Sequence, residues 1–133
     1  MMRRAFVRLV GAAVVGFFAE PGGLAAEQDE PLRPQFHFSP AKNFMNDPNG
    51  LVYFEGEYHL FYQHNPEGER WGHMSWGHAV STDLVRWTHL PVALREEDGI
   101  MIFSGSVVVD HDDRSGLCGG RACLVAVYTG HTP

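Results

Sequence analysis

The chain has 133 residues, of which 44% are hydrophobic and 12% aromatic, and its formal net charge is −6. This length and apolar content suffice for one small globular core. An acidic chain without a basic cluster binds nucleic acid and anionic lipid poorly, which argues against both as partners.

The first 25 residues resemble an export signal. Two arginines follow the initial methionines, an apolar stretch covers residues 9–19, and small residues surround a cleavage site after Ala25 or Ala26. The apolar stretch is too short to cross a bilayer comfortably, so a retained anchor is the weaker interpretation. Residues 3–7 also resemble a twin-arginine signal. We therefore predict a signal peptide over residues 1–25 and a secreted or periplasmic protein without membrane association after its removal.

Residues 26–32 are polar and contain proline, which predicts a flexible lead-in to a folded domain over residues 33–133. After removal of the signal, seven basic and fifteen acidic residues remain, so the formal charge becomes −8. A neutral ligand such as a sugar suits this balance better than an anionic one.

The most informative stretch is NFMNDPNG, residues 43–50. Pro48 keeps Asp47 out of the helical conformation, and Asn49 with Gly50 forms a typical turn dipeptide. Asp47 is therefore expected on a stiff bend just before a strand, where a carboxylate is positioned rigidly enough to act as a nucleophile. The alternative is a local turn in which Asp47 and Asn49 only satisfy nearby backbone groups.

Aromatic and β-branched residues predict a group of four strands after this stretch. They cover residues 51–54, 58–63, 76–81 and 87–90. A tight hairpin at residues 55–57 joins the first two, a bend at residues 82–86 joins the last two, and Pro91 is expected to close the group.

A second group has predicted strands at residues 101–109 and 124–129, separated by an acidic, glycine-rich loop. Cys118 and Cys123, the two cysteines, could close a small disulfide loop in an exported protein. Without a second pair nearby, they argue against a structural zinc site. No helix is predicted outside the signal region.

Four strands in succession, followed by a new pair, form a pattern that is typical of the four-stranded blades of a β-propeller. The sequence thus predicts an all-β fold of about one and a half blades. Because such a piece has open edges and half a core, we expect a fragment truncated at its C-terminus.

Five blocks in order resemble glycoside hydrolase family 32, the group of levanases, exo-inulinases and invertases. The blocks are MNDPNG (45–50), YHLFYQ (58–63), WGHMSWGHA (71–79), STDLVRW (81–87) and FSGS (103–106). The likeness runs from about Arg33 to His131, and Phe44 stands where tryptophan is more usual. One block alone would be a weak signal, whereas five in the family's order are specific.

The resemblance implies the N-terminal part of a five-bladed β-propeller, with a β-sandwich behind it, and a retaining β-fructosidase site. Asp47 would be the nucleophile that attacks the terminal fructosyl unit of levan, inulin or sucrose and forms a covalent intermediate. Retaining glycosidases use a second carboxyl group about 5 Å away as acid and base. No metal or cofactor is implied.

Other site residues follow by position in the same blocks. Asn46 and Gln63 would hydrogen-bond fructose hydroxyls, because amides both donate and accept. Trp71 would form an apolar wall, and Phe103 and Ser104 would line the opposite side. The alternative for Trp71 and Phe103 is that they are packing aromatics.

The family's Arg-Asp-Pro block and its Glu-Cys block, which carries the acid/base glutamate, do not occur in the sequence. We therefore expect that this chain alone does not hydrolyse fructosides at a useful rate. The block at residues 71–79, with an export signal, favours exo-acting levanases and inulinases. The choice among levan, inulin and sucrose stays open.

Two other functions are considered. A non-catalytic or degenerate fructan-binding fragment would explain why half of the site is missing. A metal-binding protein is suggested by eight histidines, but they lack ligand spacing, and residues 110–113 lack the features of a calcium loop.

Overall fold

The computed structural model describes residues 5–10, 32–34 and 36–132, and all regular elements in them are strands. The strands are β1 (Ala5–Val10), β2 (Met45–Phe54), β3 (Glu57–His64), β4 (Ser75–Ser81), β5 (Thr88–Leu94), β6 (Met101–Asp110) and β7 (Cys123–His131). They form two antiparallel sheets, with the orders β2-β3-β4-β5 and β1-β7-β6. The predicted all-β class is therefore confirmed. In the described part of the chain, no helix is long and apolar enough to span a membrane.

The predicted hairpin between β2 and β3 turns at Glu55 and Gly56. Both have positive φ, 50° and 95°, which is the two-residue turn that matches strand twist. Phe54 pairs with Glu57 across the turn, and the ladder continues from there.

Alternate residues of β3 pack into two different clusters. Phe61, on one face, joins the main core, which also contains Trp76 and residues of β6 and β7. Leu60 and Tyr62, on the other face, form a second cluster with Ala79, and the partly buried Phe38, Met45 and Trp87 pack against it. The interior strands β3 and β4 are thus covered on both faces, and the main core lies between the two sheets.

Two predicted boundaries were wrong, and both involve proline. β2 begins at Met45, so Asp47 lies inside the strand and not on a bend before it. β5 continues past Pro91 to Leu94. In each case the register shifts beside the proline, because proline cannot donate to the ladder and is tolerated at irregular or edge positions.

β1 pairs with β7, from Ala5 opposite Thr129 to Val10 opposite Leu124. This strand belongs to the predicted signal peptide, whereas the cleavage site and most of the lead-in lie outside the described residues. The signal peptide and the domain boundaries stay predictions.

Candidate active site

The two sheets meet where residues 47–50 of β2 lie beside residues 102–107 of β6, a junction called the seam below. Gly50 permits this approach, since a Cβ there would lie only 2.9 Å from Val107 Cγ2. Gly105 of β6 permits a second close approach, that of β6 to β7, because a Cβ on Gly105 would collide with the Val127 carbonyl oxygen. The two glycines therefore let strands that are far apart in the sequence approach each other closely.

A buried polar layer fixes the seam. Gln63 Nε2 donates to the Ile102 carbonyl at 2.8 Å, and Trp76 Nε1 donates to the Phe103 carbonyl at 3.1 Å. Asn49 is 3% exposed, and with its amide oxygen turned inward it accepts from Gln63 N at 3.0 Å. These bonds tie β2, β3 and β4 to β6 below the surface.

Above this layer, the Ser104 hydroxyl donates to Asp47 Oδ2 at 2.9 Å. Asp47, Ser104 and Asn46 are all exposed. The structure therefore brings Asp47 and Ser104 together on an accessible surface, and it orients the carboxylate from the neighbouring sheet.

A row of aromatic rings includes Phe103, the residue before Ser104 in the sequence. Trp71, 56% exposed, lies edge-on to Phe103 with ring centroids 6.3 Å apart. Phe103 stacks in turn on His131, with centroids 4.4 Å apart and an interplanar angle of 20°. Sequence reasoning missed His131, which belongs to no recognised block and reaches this place through the pairing of β7 with β6.

Gln63 occupies a different environment from its predicted neighbours. It is 3% exposed, and its amide nitrogen is engaged by Ile102. Its sugar-binding role, like those of Asn46, Trp71, Phe103 and Ser104, stays a prediction.

Residues 65–74 connect β3 to β4 and are called the Trp71 loop below. Asn65 organises this loop, since its Nδ2 donates to the Arg70 carbonyl at 2.8 Å and its Oδ1 accepts from Glu67 N at 2.9 Å. Two bonds tie it to the segment before β2: Phe44 N donates to the Gly68 carbonyl at 3.0 Å, and Asn43 Nδ2 to the Pro66 carbonyl at 2.8 Å.

Two histidines, one in the Trp71 loop and one in β4, have pKa values displaced in opposite directions. The pKa of His73 is raised by its hydrogen bond to Glu96 and by the negative charges of Glu96 and Glu67. The pKa of His78 falls to about 4 because the ring is buried and faces His59, whose Nδ1 lies 3.1 Å from His78 Nε2.

Cys118 and Cys123 are joined by a disulfide in the loop between β6 and β7. Asp110, Asp113 and Cys118 form the one group in the described chain with metal-ligand proximity. The disulfide occupies the cysteine sulfur, and both carboxylates accept backbone N–H bonds that shape the loop. Hydrogen bonds from Ser115 and Arg114 lower the pKa of Asp110 to about 2. This arrangement stabilises a loop.

The chain is similar to known proteins. The model for the "Glycosyl hydrolases family 32 N-terminal domain" matches residues 37–133. A levanase of Bacillus subtilis is 61% identical over 102 residues, which cover 76% of this chain and 15% of the levanase. An extracellular exo-inulinase of Aspergillus awamori is 51% identical over 115 residues, covering 82% of this chain and 21% of that protein.

The crystal structure of an exo-inulinase from Aspergillus awamori superposes with a TM-score of 0.74 and 52% identity, over 79% of this chain and 22% of that one. The chain thus spans only 15% to 22% of the length of these relatives.

Proposed function

The chain belongs to glycosyl hydrolase family 32, and we propose on this basis that it supplies the nucleophile half of a site that hydrolyses terminal β-D-fructofuranosyl linkages. Its strands are part of the family's five-bladed β-propeller: β2–β5 form one four-stranded blade, and β6 and β7 belong to the next. The substrates would be fructans such as levan and inulin, or sucrose. As with its extracellular relative, the protein would be secreted.

The observation that carries this proposal is the Asp47 carboxylate, exposed at the seam and oriented by Ser104 at 2.9 Å. A nucleophile must keep one line of attack, and a rigid support reduces the barrier to that attack. The carboxylate lies in a strand that buried hydrogen bonds anchor to β6 through Asn49 and Gln63.

In the proposed double displacement, an Asp47 oxygen forms a bond to the anomeric carbon while the bond to the leaving oxygen breaks, and an acid protonates that leaving oxygen. The conjugate base of the acid then takes a proton from a water, whose oxygen bonds to the anomeric carbon while the bond to Asp47 breaks, and fructose is released. The residues that match the family's blocks in this chain do not include that acid, so we assign it to a part of the enzyme outside these 133 residues.

The fructosyl unit would contact the Trp71 and Phe103 rings with its apolar face. Asn46 and Ser104, both exposed beside Asp47, would bind its hydroxyls. We assign the contact of Gln63 to its amide oxygen, because the amide nitrogen donates to Ile102.

The runner-up function is a fructan-binding module without turnover. A chimera separates the two: residues 33–132 replace the matching segment of the Bacillus subtilis levanase, which is 61% identical over 102 residues. We expect the chimera to release fructose from levan, inulin or sucrose, and Asp47→Asn to reduce kcat by about 10⁴-fold or more. Asp112→Asn, in the exposed loop after β6, is the matched control and should keep the activity.

A folded chimera that binds fructan without releasing fructose would favour the binding module. An Asp47→Asn chimera of undiminished activity would instead contradict the assignment of Asp47 as the nucleophile. The 133-residue chain alone is expected to be inactive. Fructose release by that chain, abolished by Asp47→Asn, would contradict the assignment of the acid to another part of the enzyme.

A further inference from the structure

The C-terminal end of the Trp71 loop is attached to the segment after β5 by an ion pair. His73 Nδ1 lies 2.7 Å from Glu96 Oε2, and His73 Nε2 lies 4.0 Å from Glu67 Oε2. Between Trp71 and His73 stands Gly72 with φ of 151°, a conformation that favours glycine. His73 therefore stands two residues after Trp71, across one glycine.

Glu96 is positioned by a hydrogen bond of its own backbone, which does not involve the His73 side chain. Its backbone N donates to Ser75 Oγ at 3.0 Å, and that hydroxyl donates to the His73 carbonyl at 3.1 Å. Ser75 is 1% exposed at the start of β4, so it forms a rigid bridge between the loop and the segment after β5. The carboxylate meets the imidazole from a defined position.

The N-terminal part of the loop has its own supports, from Asn43, Phe44 and Asn65. These supports end at Arg70, and the ring of Trp71 has Phe103 as an edge contact. After Trp71, His73 is the next residue whose side chain links the loop to another part of the chain.

We propose that the His73–Glu96 pair is a positioning pair that holds Trp71 against Phe103 and so fixes the apolar wall for the sugar. The role of that wall in binding sugar rests on the proposed function. The ordering of Trp71 by the pair does not.

The pair gives this ordering a pH dependence. The groups that face His73 are Glu96, beyond β5, and Glu67, in the loop. Both raise the pKa of His73, so its folded-state pKa lies above the ordinary value of 6.5. The charge-assisted bond is complete below the unfolded-state pKa, while Glu96 is ionised, and it weakens as pH rises through the folded-state pKa.

The test uses the 133-residue chain labelled with 5-fluorotryptophan, whose three tryptophans give separate ¹⁹F signals. Trp71→Phe identifies the signal of Trp71 by its loss. In the wild type, we expect this signal to shift with a single midpoint above pH 6.5, the ordinary value for histidine.

Three variants measure how far the titration and the order of Trp71 depend on the His73–Glu96 pair. Glu96→Gln should lower the midpoint of the titration, because His73 still takes up a proton and keeps only the charge of Glu67 beside it. It should also lower the equilibrium constant for the ordered position of Trp71 about twofold to fivefold, the range of an exposed ion pair. His73→Asn should remove the titration but keep part of the order, because asparagine can donate from a position close to Nδ1 and tolerates the φ of 47° there. His73→Ala should lose both the titration and the ordered position of Trp71.

His111→Asn, in the exposed loop after β6, is the matched control and should titrate like the wild type. A Trp71 signal unchanged in Glu96→Gln and His73→Ala would overturn the proposal and leave the pair as an ordinary surface contact. The chimera then tests the sugar role separately. There we expect Glu96→Gln to raise KM about twofold to fivefold with kcat nearly unchanged. An inactive chimera with an ordered, titrating Trp71 would count against the proposed function alone.

Discussion

The seam and the Trp71 loop contribute to one proposed pocket, but they are held in different ways. Buried amides and a buried indole fix the seam, among them Asn49 and Gln63, each 3% exposed. The loop presents Trp71 at 56% exposure, and the His73–Glu96 pair near its end is partly solvated. The Asp47 carboxylate, the proposed nucleophile, is rigidly supported, whereas the ring of Trp71, the proposed wall for the sugar, has weaker supports.

The two kinds of support differ in what their loss costs. A buried donor or acceptor left without a partner destabilises a protein by about 1–3 kcal/mol. An exposed ion pair contributes about 0.2–1 kcal/mol and is weakened by salt. Mutations in the seam should therefore reduce stability, and mutations in the loop should change the order of Trp71 with little effect on unfolding.

The largest contrast should come from adding one methyl group in each region. Gly105→Ala forces a Cβ into the Val127 carbonyl, so β6 and β7 must separate, and we expect a loss of about 3 kcal/mol in the free energy of unfolding. Gly68→Ala in the Trp71 loop meets nothing nearer than Asn65 Nδ2 at 3.6 Å and should change it by less than about 0.5 kcal/mol. Urea denaturation of both variants measures this. Equal losses would refute the contrast.

A smaller effect is expected from the buried amide of the seam. Asn49→Ala removes the acceptor for Gln63 N and should cost about 2 kcal/mol. Asn46→Ala, three residues earlier and exposed, should leave the free energy of unfolding within about 0.5 kcal/mol of the wild type. Thermal and urea unfolding would show this difference. A tolerated Asn49→Ala would mean that the seam does not depend on its buried polar layer.

Most strands could be predicted from the sequence because their causes are local. Aromatic and β-branched residues mark β3 and β4, and Glu55 with Gly56 marks the turn before β3. The start of β2 and the end of β5 could not be predicted in this way. Each strand passes a proline, Pro48 or Pro91, by a register shift that only the neighbouring strand can accommodate.

The candidate site also combines residues that the sequence identifies locally with residues that only the folding of distant segments brings in. The candidate nucleophile, Asp47, was identified from its own block, but its partner Ser104 lies 57 residues away and joins it through the packing of two sheets. His131 and the His73–Glu96 pair also depend on register and loop geometry, which neighbouring residues do not encode. The burial of Gln63 follows from the same packing.

The last prediction contrasts a histidine of the sheet with the histidine of the loop. His78 packs on Phe61, with ring centroids 4.3 Å apart, and burial together with His59 lowers its pKa to about 4. The folded state thus binds fewer protons than the unfolded state between pH 6.5 and about 4, and stability falls as pH falls through this window. One pKa unit corresponds to about 1.4 kcal/mol, so we expect a loss of about 2 kcal/mol after allowing for partial exposure.

His78→Phe should remove this loss, because phenylalanine can keep the stack on Phe61 and takes up no proton. The measurement is the difference in free energy of unfolding between variant and wild type at pH 7 and at pH 4, which cancels the titration of other groups. His111→Gln, at an exposed site, should follow the wild type. A His78→Phe chain with the wild-type pH profile would show that His78 does not contribute to the pH dependence of stability. The His73–Glu96 pair, which weakens with rising pH, would then be the stronger pH-dependent element near the site.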